Sequence, residues 1–161
     1  MQLTNNKMNN LLEKISNSKY IDKSLKINLQ DMQEIMWPKF YEKNGCIFVN
    51  KCSLFYEYDI KIKLSKLEAD SNEFPIDGYL EIKKNTPKLE VIKFGLMVVE
   101  MWGCKLKNEF PNSKFHIIFS FDRKYSKIRF YKVREDEYSD FIWVDLKELD
   151  SYEDAILLKE F

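Results

Sequence analysis

The chain has 161 residues, of which 45% are hydrophobic and 15% aromatic, and its formal net charge is zero. This length and composition are typical of one globular domain, which we place over residues 1–161, and they exclude a disordered chain. Only 4 glycines are present, and no glycine-rich phosphate-binding loop can be recognised.

Two amphipathic helices are predicted near the N-terminus. The first, "NNKMNNLLEKISN", places Met8, Leu11, Leu12 and Ile15 at helical spacing. The second, "LQDMQEIMWPKFYEK", carries its apolar residues on one side until Pro38, which should end or kink the helix near Trp37. The N-terminus lacks the continuous apolar region of a secretory signal, which predicts a cytoplasmic chain.

Three strands are predicted in the next part of the chain. An Asn-Gly turn followed by an apolar run indicates a strand over 46–49. The stretch "LFYEYDIKIKL" alternates apolar and charged residues, which predicts a strand with one solvated face over 54–64. An Asp-Gly turn leads into a third strand over 79–83. An antiparallel meander is the simplest arrangement of these strands.

The longest predicted element is a helix over 87–108. Thr86 can cap its free amides, and Pro87 suits the first helical position because proline has no amide hydrogen to lose. The most apolar part, "FGLMVVEMWGC", is about half the length that a membrane span needs. We therefore expect a soluble protein with no membrane partner.

One carboxylate, Glu100, lies inside this apolar helix. At helical spacing it shares a narrow line with Lys93 and Lys107, and no cation of the same helix is close enough to pair with it. A buried carboxylate needs a partner, since leaving it unpaired is costly. We interpret Glu100 as part of a solvated seam, or as a group held by Arg129 or Arg134, rather than as a catalytic acid.

Two strands follow the helix, over 114–121 and 127–134. The first places Phe115, Ile117, Phe119 and Phe121 on one face, which predicts a core face. The only histidine, His116, points the other way and has no nucleophile in a recognisable setting, so we interpret it as a structural strand residue. The second strand mixes basic and aromatic residues, but the glycine-bearing RNA-binding signature is absent. We predict no nucleic-acid partner.

The three cysteines predict neither a metal site nor a disulfide framework. Cys46, Cys52 and Cys104 cannot all pair with one another, and their spacing matches neither a zinc site nor a C-x-x-C redox motif. We interpret them as reduced thiols in a cytosol. No cofactor is predicted.

The C-terminal end is strongly acidic. Residues 1–134 carry 24 basic and 16 acidic side chains, a net charge of +8, whereas residues 135–161 carry 2 and 10, a net charge of −8. Two apolar runs, over 141–144 and 155–158, predict closing strands on either side of the acidic part. The acidic end is either an interaction surface or an internal complement to a basic sheet, and the sequence leaves both open.

Together these elements predict an α+β fold. In it an antiparallel sheet packs against the long central helix, and further helices lie at the N-terminus. The sequence does not predict the strand order.

The C-terminal half resembles a known class of proteins. The features are the helix with Trp102, the turn at Phe110 and Pro111, a strand ending in Arg134, and Trp143 and Tyr152 before an aliphatic close. Over about 65 residues they are similar to the C-terminal halves of small bacterial immunity proteins, which are the antitoxins of contact-dependent inhibition and other polymorphic toxin systems. The resemblance implies a non-catalytic cytosolic protein that binds one cognate toxin, commonly a nuclease, and blocks its active site or access to substrate.

We place the predicted partner surface on the acidic end, where aromatic side chains stand among carboxylates as in tight interfaces. Its residues are Asp136, Glu137, Tyr138, Asp140, Trp143, Asp145, Glu148, Asp150, Tyr152, Glu153 and Asp154. No catalytic and no metal-binding residue is predicted. The alternatives are a small enzyme that uses Glu100 and Arg134 in a cleft, and a non-catalytic adaptor domain.

Overall fold

A computed structural model describes residues 1–17, 29–49, 62–79, 88–122, 125–136 and 144–161. Its helices and strands, in chain order, are β1 (Gln2–Thr4), α1 (Asn6–Asn17), α2 (Leu29–Met36), β2 (Tyr41–Lys43), β3 (Cys46–Phe48), α3 (Leu64–Ser71), β4 (Phe74–Pro75), α4 (Lys88–Glu109), β5 (Lys114–Phe121), β6 (Ser126–Val133) and β7 (Ala155–Glu160). Single turns of 3-10 helix lie at Asp77–Tyr79 and Leu149–Ser151.

Five of these strands form one antiparallel sheet in the order β1-β7-β5-β6-β4, and β2 and β3 form a separate hairpin. The long helix α4 packs on β5 and β6. The predicted α+β class, with an antiparallel sheet against a long helix, is therefore confirmed. The first strand of the chain pairs with the last, since Leu3 lies opposite Leu158.

The larger core lies between α4 and one face of the sheet. Its centre is Trp102, which is fully buried and meets the rings of Phe40, Phe74 and Phe130 edge to face. The indole Nε1 donates a hydrogen bond of 2.6 Å to the carbonyl of Ile35, so this one side chain also ties α2 to α4. A buried tryptophan contributes a large apolar area, and its N–H needs the partner that α2 provides.

The opposite face of the sheet is buried as well. Ile118, Tyr131, Ile156 and Leu158 form a second core with Val144. Three side chains from the part of the chain just before β7 are packed against it, namely Leu146, Leu149 and Tyr152. The central strands thus carry apolar residues on both faces, and the C-terminal segment covers the second one.

Helix α3 fills the gap between the hairpin and the edge of β6. The Asn72 amide donates to the carbonyls of Ile47 (2.8 Å) and Phe130 (3.3 Å). The Glu68 carboxylate accepts from the backbone N–H groups of Ile47 and Lys132, each at 2.7 Å. These side chains take the place of strand-to-strand hydrogen bonds at the backbone groups of Ile47, Phe130 and Lys132, which are satisfied by side chains instead.

The same carboxylate forms a buried ion pair with Arg134. The guanidinium contacts both Glu68 oxygens, at 2.9 and 3.0 Å, which is the bidentate geometry that favours arginine. The guanidinium also donates a hydrogen bond of 2.7 Å to the carbonyl of Gly45, which lies in the turn of the hairpin. Burial raises the pKa of Glu68, and the hydrogen bond and charge of Arg134 act in the opposite direction.

Most predicted boundaries near the central helix are confirmed. The strand predicted over 114–121 is β5, with the same bounds, and the helix predicted over 87–108 is α4, shifted by one residue. The strand predicted over 127–134 starts and ends one residue earlier as β6. The strand predicted over 155–158 is confirmed and continues to Glu160. Both N-terminal helices are present, and α2 ends before Pro38 as predicted.

The prediction of one continuous meander is wrong in three places. The strand over 46–48 pairs with β2 instead of joining the main sheet, because Asn44 and Gly45 both have positive φ (53° and 76°) and form a tight two-residue turn. Leu64, predicted as the end of a strand, begins α3. Tyr79, predicted as the start of a strand, ends a 3-10 turn.

The closing strand predicted over 141–144 is not formed at Val144, which lies in a bend and packs into the second core. The remaining residues of these predicted strands, 54–61, 80–83 and 141–143, lie outside the described residues. Cys46 and Cys104 are free thiols, and Cys52 also lies outside the described residues.

Glu100 is solvent-exposed, as the seam interpretation predicts, and its side chain is 53% accessible. Its partner is a different cation from the two that were considered, since it forms an ion pair with Lys159 of β7. Arg129 pairs with Glu73 and Arg134 with Glu68. Glu100 and Arg134 therefore have different ion-pair partners and lie in separate parts of the structure.

The close approach of α4 to the sheet predicts that Gly95→Ala lowers stability. A β-carbon at Gly95 would overlap the ring of Phe119, which is fully buried and has no room to move. Overpacking of this kind costs about 1–3 kcal/mol, against a gain of about 1 kcal/mol in helix propensity. We expect a net loss in the free energy of unfolding, measured by urea denaturation.

The matched control is Cys104→Ala, at an exposed position of the same helix. It should leave the denaturation midpoint near that of the parent. A Gly95→Ala variant that is as stable as the parent would mean that Phe119 does not confine this helix.

Candidate functional site

The described part of the predicted partner surface is a segment over 144–154, called here the acidic segment. Three of its side chains pack on the second core and anchor it there, namely Leu146, Leu149 and Tyr152. The Tyr152 hydroxyl also accepts a hydrogen bond of 3.0 Å from the N–H of Asp145, which closes the segment on itself. Its conformation is therefore set by burial on one side, and the other side faces solvent.

Four of its carboxylate residues are exposed, and Asp154 is partly buried. The exposed residues are Asp145, Glu148, Asp150 and Glu153. Within the described ranges none of the five carboxylates belongs to an ion pair. The acidic side chains therefore stand close together in the chain and form no ion pair with a described cation.

The basic residues of the sheet are paired elsewhere. Lys127 and Arg129 both contact Glu73, the first at 3.0 Å. The ion pairs of Arg134 and Lys159, with Glu68 and Glu100, were described above. Among the described residues these basic side chains form no ion pair with the acidic segment, but Lys127 of β6 attracts the carboxylate of Asp154. The described contacts therefore leave open both alternatives for the acidic end, an interaction surface and an internal complement.

The N-terminal residues hold the acidic segment in place. Asn5 is 1% exposed, and its amide donates a hydrogen bond of 2.7 Å to the carbonyl of Asp154. The Asn5 side-chain oxygen accepts from the N–H groups of Met8 (2.9 Å) and Ile156 (3.0 Å), so Asn5 also caps α1. The ammonium of Lys7 donates to the carbonyls of residues 152 and 153. Two parts of the chain that are far apart in sequence form one unit.

Asp150 has a structural role in this unit. Its carboxylate accepts a hydrogen bond of 2.7 Å from the N–H of Asn6, at the first turn of α1. A negative charge at this end of a helix is favourable because the unpaired N–H groups carry partial positive charge. Asp150 therefore differs from Glu148 and Glu153, whose side chains are exposed and form no hydrogen bond or ion pair with the described residues.

A cleft of about 180 Å³ lies between the acidic segment and the sheet. Ile118, Val144 and Ile156, all nearly buried, form an apolar base. The polar residues around it are Glu73, Asp122, Tyr125, Lys127, Arg129, Tyr152 and Asp154. The tyrosine at position 125 is 56% exposed, so its ring is accessible at the mouth.

Asp154 is the carboxylate of the cleft whose surroundings disfavour its negative charge. The pKa of Asp154 is raised, first by burial and then by repulsion from Asp122 and, more weakly, from Glu153, while Lys127 and Lys7 lower it. The ionised form of Asp154 is thus disfavoured by its surroundings. A nearby cation would stabilise it.

His116 is a buried structural link. It is fully inaccessible, its Nδ1 lies 2.9 Å from the hydroxyl of Tyr131, and its Nε2 lies 3.4 Å from a carboxylate oxygen of Glu160. These contacts join β5 to its two neighbours, β6 and β7. Burial lowers the pKa of His116, and the hydrogen bond and charge of Glu160 act in the opposite direction.

The structure brings together six of the eleven predicted partner residues, from Asp145 to Asp154. Asp136 is exposed in a turn after β6. Glu137, Tyr138, Asp140 and Trp143 lie outside the described residues. Sequence reasoning missed Asn5 and Lys7, for which no local pattern exists, and it missed the cleft, whose residues come from several strands and loops.

Among the described residues, no group of His, Cys, Asp and Glu side chains is arranged to hold a metal ion. In the same ranges no helix is long and apolar enough to cross a membrane.

Comparison with known proteins identifies a family. The chain matches the model of the Uncharacterized protein PM0498 family over residues 3–161 and therefore belongs to that family. No curated protein and no solved structure matches the chain significantly.

The contacts of Asn5 predict that Asn5→Asp loosens the acidic segment. Aspartate keeps the oxygen that caps α1 but replaces the donor to the Asp154 carbonyl with a second acceptor. An unsatisfied buried group of this kind costs about 1–3 kcal/mol. We expect a lower free energy of unfolding and faster hydrogen exchange of the amides over 149–156.

The same change at Asn10, an exposed residue of α1, is the control and should have little effect. If the two variants were equally stable and showed the same exchange, the bond to Asp154 would not hold the segment.

The environment of His116 predicts a pH-dependent contribution to stability. Because the folded pKa is lowered, the unfolded chain binds the proton more tightly, and the stability contributed by neutral His116 is present above about pH 6.5 and lost as pH falls toward the folded pKa. The stability difference between the parent and His116→Gln should shrink from pH 7.5 to 5.5, measured by urea denaturation.

Glu68 and Asp154, whose raised pKa values give contributions of opposite sign, titrate in both proteins and cancel in this difference. Parallel stability curves for the two proteins over this range would contradict the prediction.

Proposed function

We propose that this member of the family is a cytoplasmic immunity protein, which binds a cognate bacterial toxin and blocks its active site or its access to substrate. The observation that supports this most is the acidic segment, which is fixed by a buried apolar side and presents four exposed carboxylates that form no ion pair with a described cation. The resemblance of the C-terminal half to immunity proteins points in the same direction. The protein acts by binding and needs no catalytic group or cofactor.

The chemistry of the surface suggests the kind of toxin. A toxin that acts on nucleic acid presents a basic cleft to its substrate, and a rigid acidic surface can occupy that cleft. Opposite charges accelerate the encounter of two proteins, with an effect that weakens as salt screens them. A nuclease toxin therefore fits the acidic segment best. Raising the salt concentration should slow association more than it accelerates dissociation.

An enzymatic function that uses Glu100 and Arg134 has less support. Arg134 is committed to the buried ion pair with Glu68, and Glu100 pairs with Lys159 on another part of the surface. The two groups do not share a cleft. A non-catalytic adaptor would use the same acidic surface with a partner other than a toxin, and it differs from the proposed function in failing to protect cells.

The proposal is tested by co-expression with the product of a toxin gene encoded beside this one. We expect a stable complex and survival of cells that the toxin alone kills. Glu100→Gln should protect as well as the parent. Loss of protection in that folded variant would favour an enzyme, and the absence of both binding and protection would rule out the proposed function.

The binding surface is tested by reversing two charges, with Glu148→Lys and Glu153→Lys combined. Both side chains are exposed and make no described contact, so the fold should not change. With each exposed pair contributing up to about 1 kcal/mol, the affinity should fall about tenfold, mainly through slower association. Asp150 is left unchanged because it caps α1.

The control combines Glu34→Lys with Glu42→Lys, which changes the net charge equally at two exposed positions outside the acidic segment. It should bind toxin nearly as well as the parent. Equal affinities for the two double variants, measured by surface plasmon resonance, would remove the site from the acidic segment.

A further inference from the structure

We infer that the cleft beside the acidic segment receives one basic side chain of the binding partner, with its cationic group at Asp154 and its aliphatic part on the apolar base. This inference rests on the proposed function, which supplies the partner, and it adds a specific contact to it. The residues that form the cleft come from the sheet and from the acidic segment, so an inserted side chain would touch both.

The shape of the cleft suits an amphipathic side chain. Its base is formed by the nearly buried Ile118, Val144 and Ile156, and carboxylates and two tyrosines complete its lining. Lysine and arginine bury their methylene groups against apolar surface and keep the charge near water. Tyr125 and Tyr152 offer aromatic surfaces beside the carboxylates, and guanidinium groups stack on such surfaces.

The described cations of the cleft are shared unevenly among its carboxylates. Lys127 and Arg129 both contact Glu73. Asp154 belongs to no ion pair within the described residues, and the attraction of Lys127 does not reverse the rise of its pKa. Asp154 is thus the carboxylate of the cleft at which an added cation is favoured.

The titration of Asp154 is consistent with this assignment. Burial and the neighbouring Asp122 raise its pKa, Glu153 adds repulsion, and the attraction of Lys127 and Lys7 does not reverse the shift. An arriving ammonium or guanidinium would relieve the repulsion between the two aspartates. Binding should therefore lower the pKa of Asp154 and weaken as the pH falls and this carboxylate takes up a proton.

The size of the cleft excludes a larger occupant. Pockets for cofactors and drug-sized ligands are about 300–1,000 Å³, whereas this cleft is about 180 Å³. An inorganic anion is small enough, but it would face Asp122 and Asp154. A single basic side chain is the occupant that fits both the volume and the charge.

The test uses the full chain and small probes, so that it does not depend on a toxin. N-acetyl-arginine amide and N-acetyl-lysine amide are titrated into isotope-labelled protein, and amide chemical shifts are followed by NMR. We expect saturable shifts at Asp122, Tyr125, Asp154 and Ile156, with a dissociation constant on the order of millimolar. Asp154→Asn should weaken probe binding about fivefold, as expected for a partly exposed charge pair.

The control variant is Glu34→Gln, which removes a charge at an exposed position outside the acidic segment. It should bind the probes nearly as the parent does. Absence of saturable shifts at the four amides, equal affinity in Asp154→Asn, or stronger shifts of the same amides with inorganic phosphate would each overturn the inference.

The toxin complex separates this inference from the proposed function. Asp154→Asn should accelerate dissociation of the toxin, whereas Glu153→Gln should mainly slow its association. If toxin binds and is neutralised but Asp154→Asn dissociates at the parent rate, the cleft contact is wrong and the proposed function stands. If the probes bind as expected but no toxin is bound or neutralised, the proposed function is wrong and the cation site stands.

Discussion

The rest of the structure depends on the apolar character of both faces of β5, β6 and β7. A sheet of this kind needs a cover on each side, since exposed apolar area is costly. Helix α4 covers one face, with Trp102 at the centre of the core. The second face is covered by a segment without a long helix, which packs through a few side chains and leaves its polar groups to solvent. The acidic segment thus owes its position to the need to bury that face.

The edges of the sheet impose a second constraint. Beyond the two residues of β4, no further strand lies beside this edge of β6 among the described residues, and the side chains of Glu68 and Asn72, in α3 and at its C-terminal end, contact its backbone groups there. The Glu68 and Arg134 pair is central to this arrangement because it connects α3, the hairpin and the end of β6. Removing one partner of such a pair leaves a buried charge, at a cost of about 3–5 kcal/mol. Arg134 is therefore a structural residue.

Sequence periodicity predicted the elements whose own residues decide their structure. The alternation from Phe115 to Phe121 gave β5 its bounds, and the apolar run after Pro87 indicated α4. Helix α3 was missed because its polar residues face the backbone edges of β3 and β6, so its pattern is typical of a surface loop. The second core could not be foreseen either, since Val144 was assigned to a closing strand and Leu146 lies among acidic neighbours in the sequence.

The candidate site was predicted only in part, because a sequence shows where charge is clustered but does not show tertiary contacts. Clustered charge is visible in a sequence, and the acidic segment was located from it. The contacts that hold it are not visible, because Asn5 and Lys7 lie about 145 residues away along the chain. The cleft combines Glu73 with residues after β5 and before β7. No spacing rule connects such positions, and only the folded sheet brings them together.

The pairing of β1 with β7 has a consequence for the folding reaction. Strand β1 and helix α1 contact residues that lie about 150 residues away along the chain, as with Leu3 and Leu158. Contacts of such large sequence separation close late and slow the folding reaction. Asn5 and Lys7 reach the carbonyls of residues 152–154 only once these contacts have closed. The carboxylates of the acidic segment are therefore fixed in place in one of the last steps of folding.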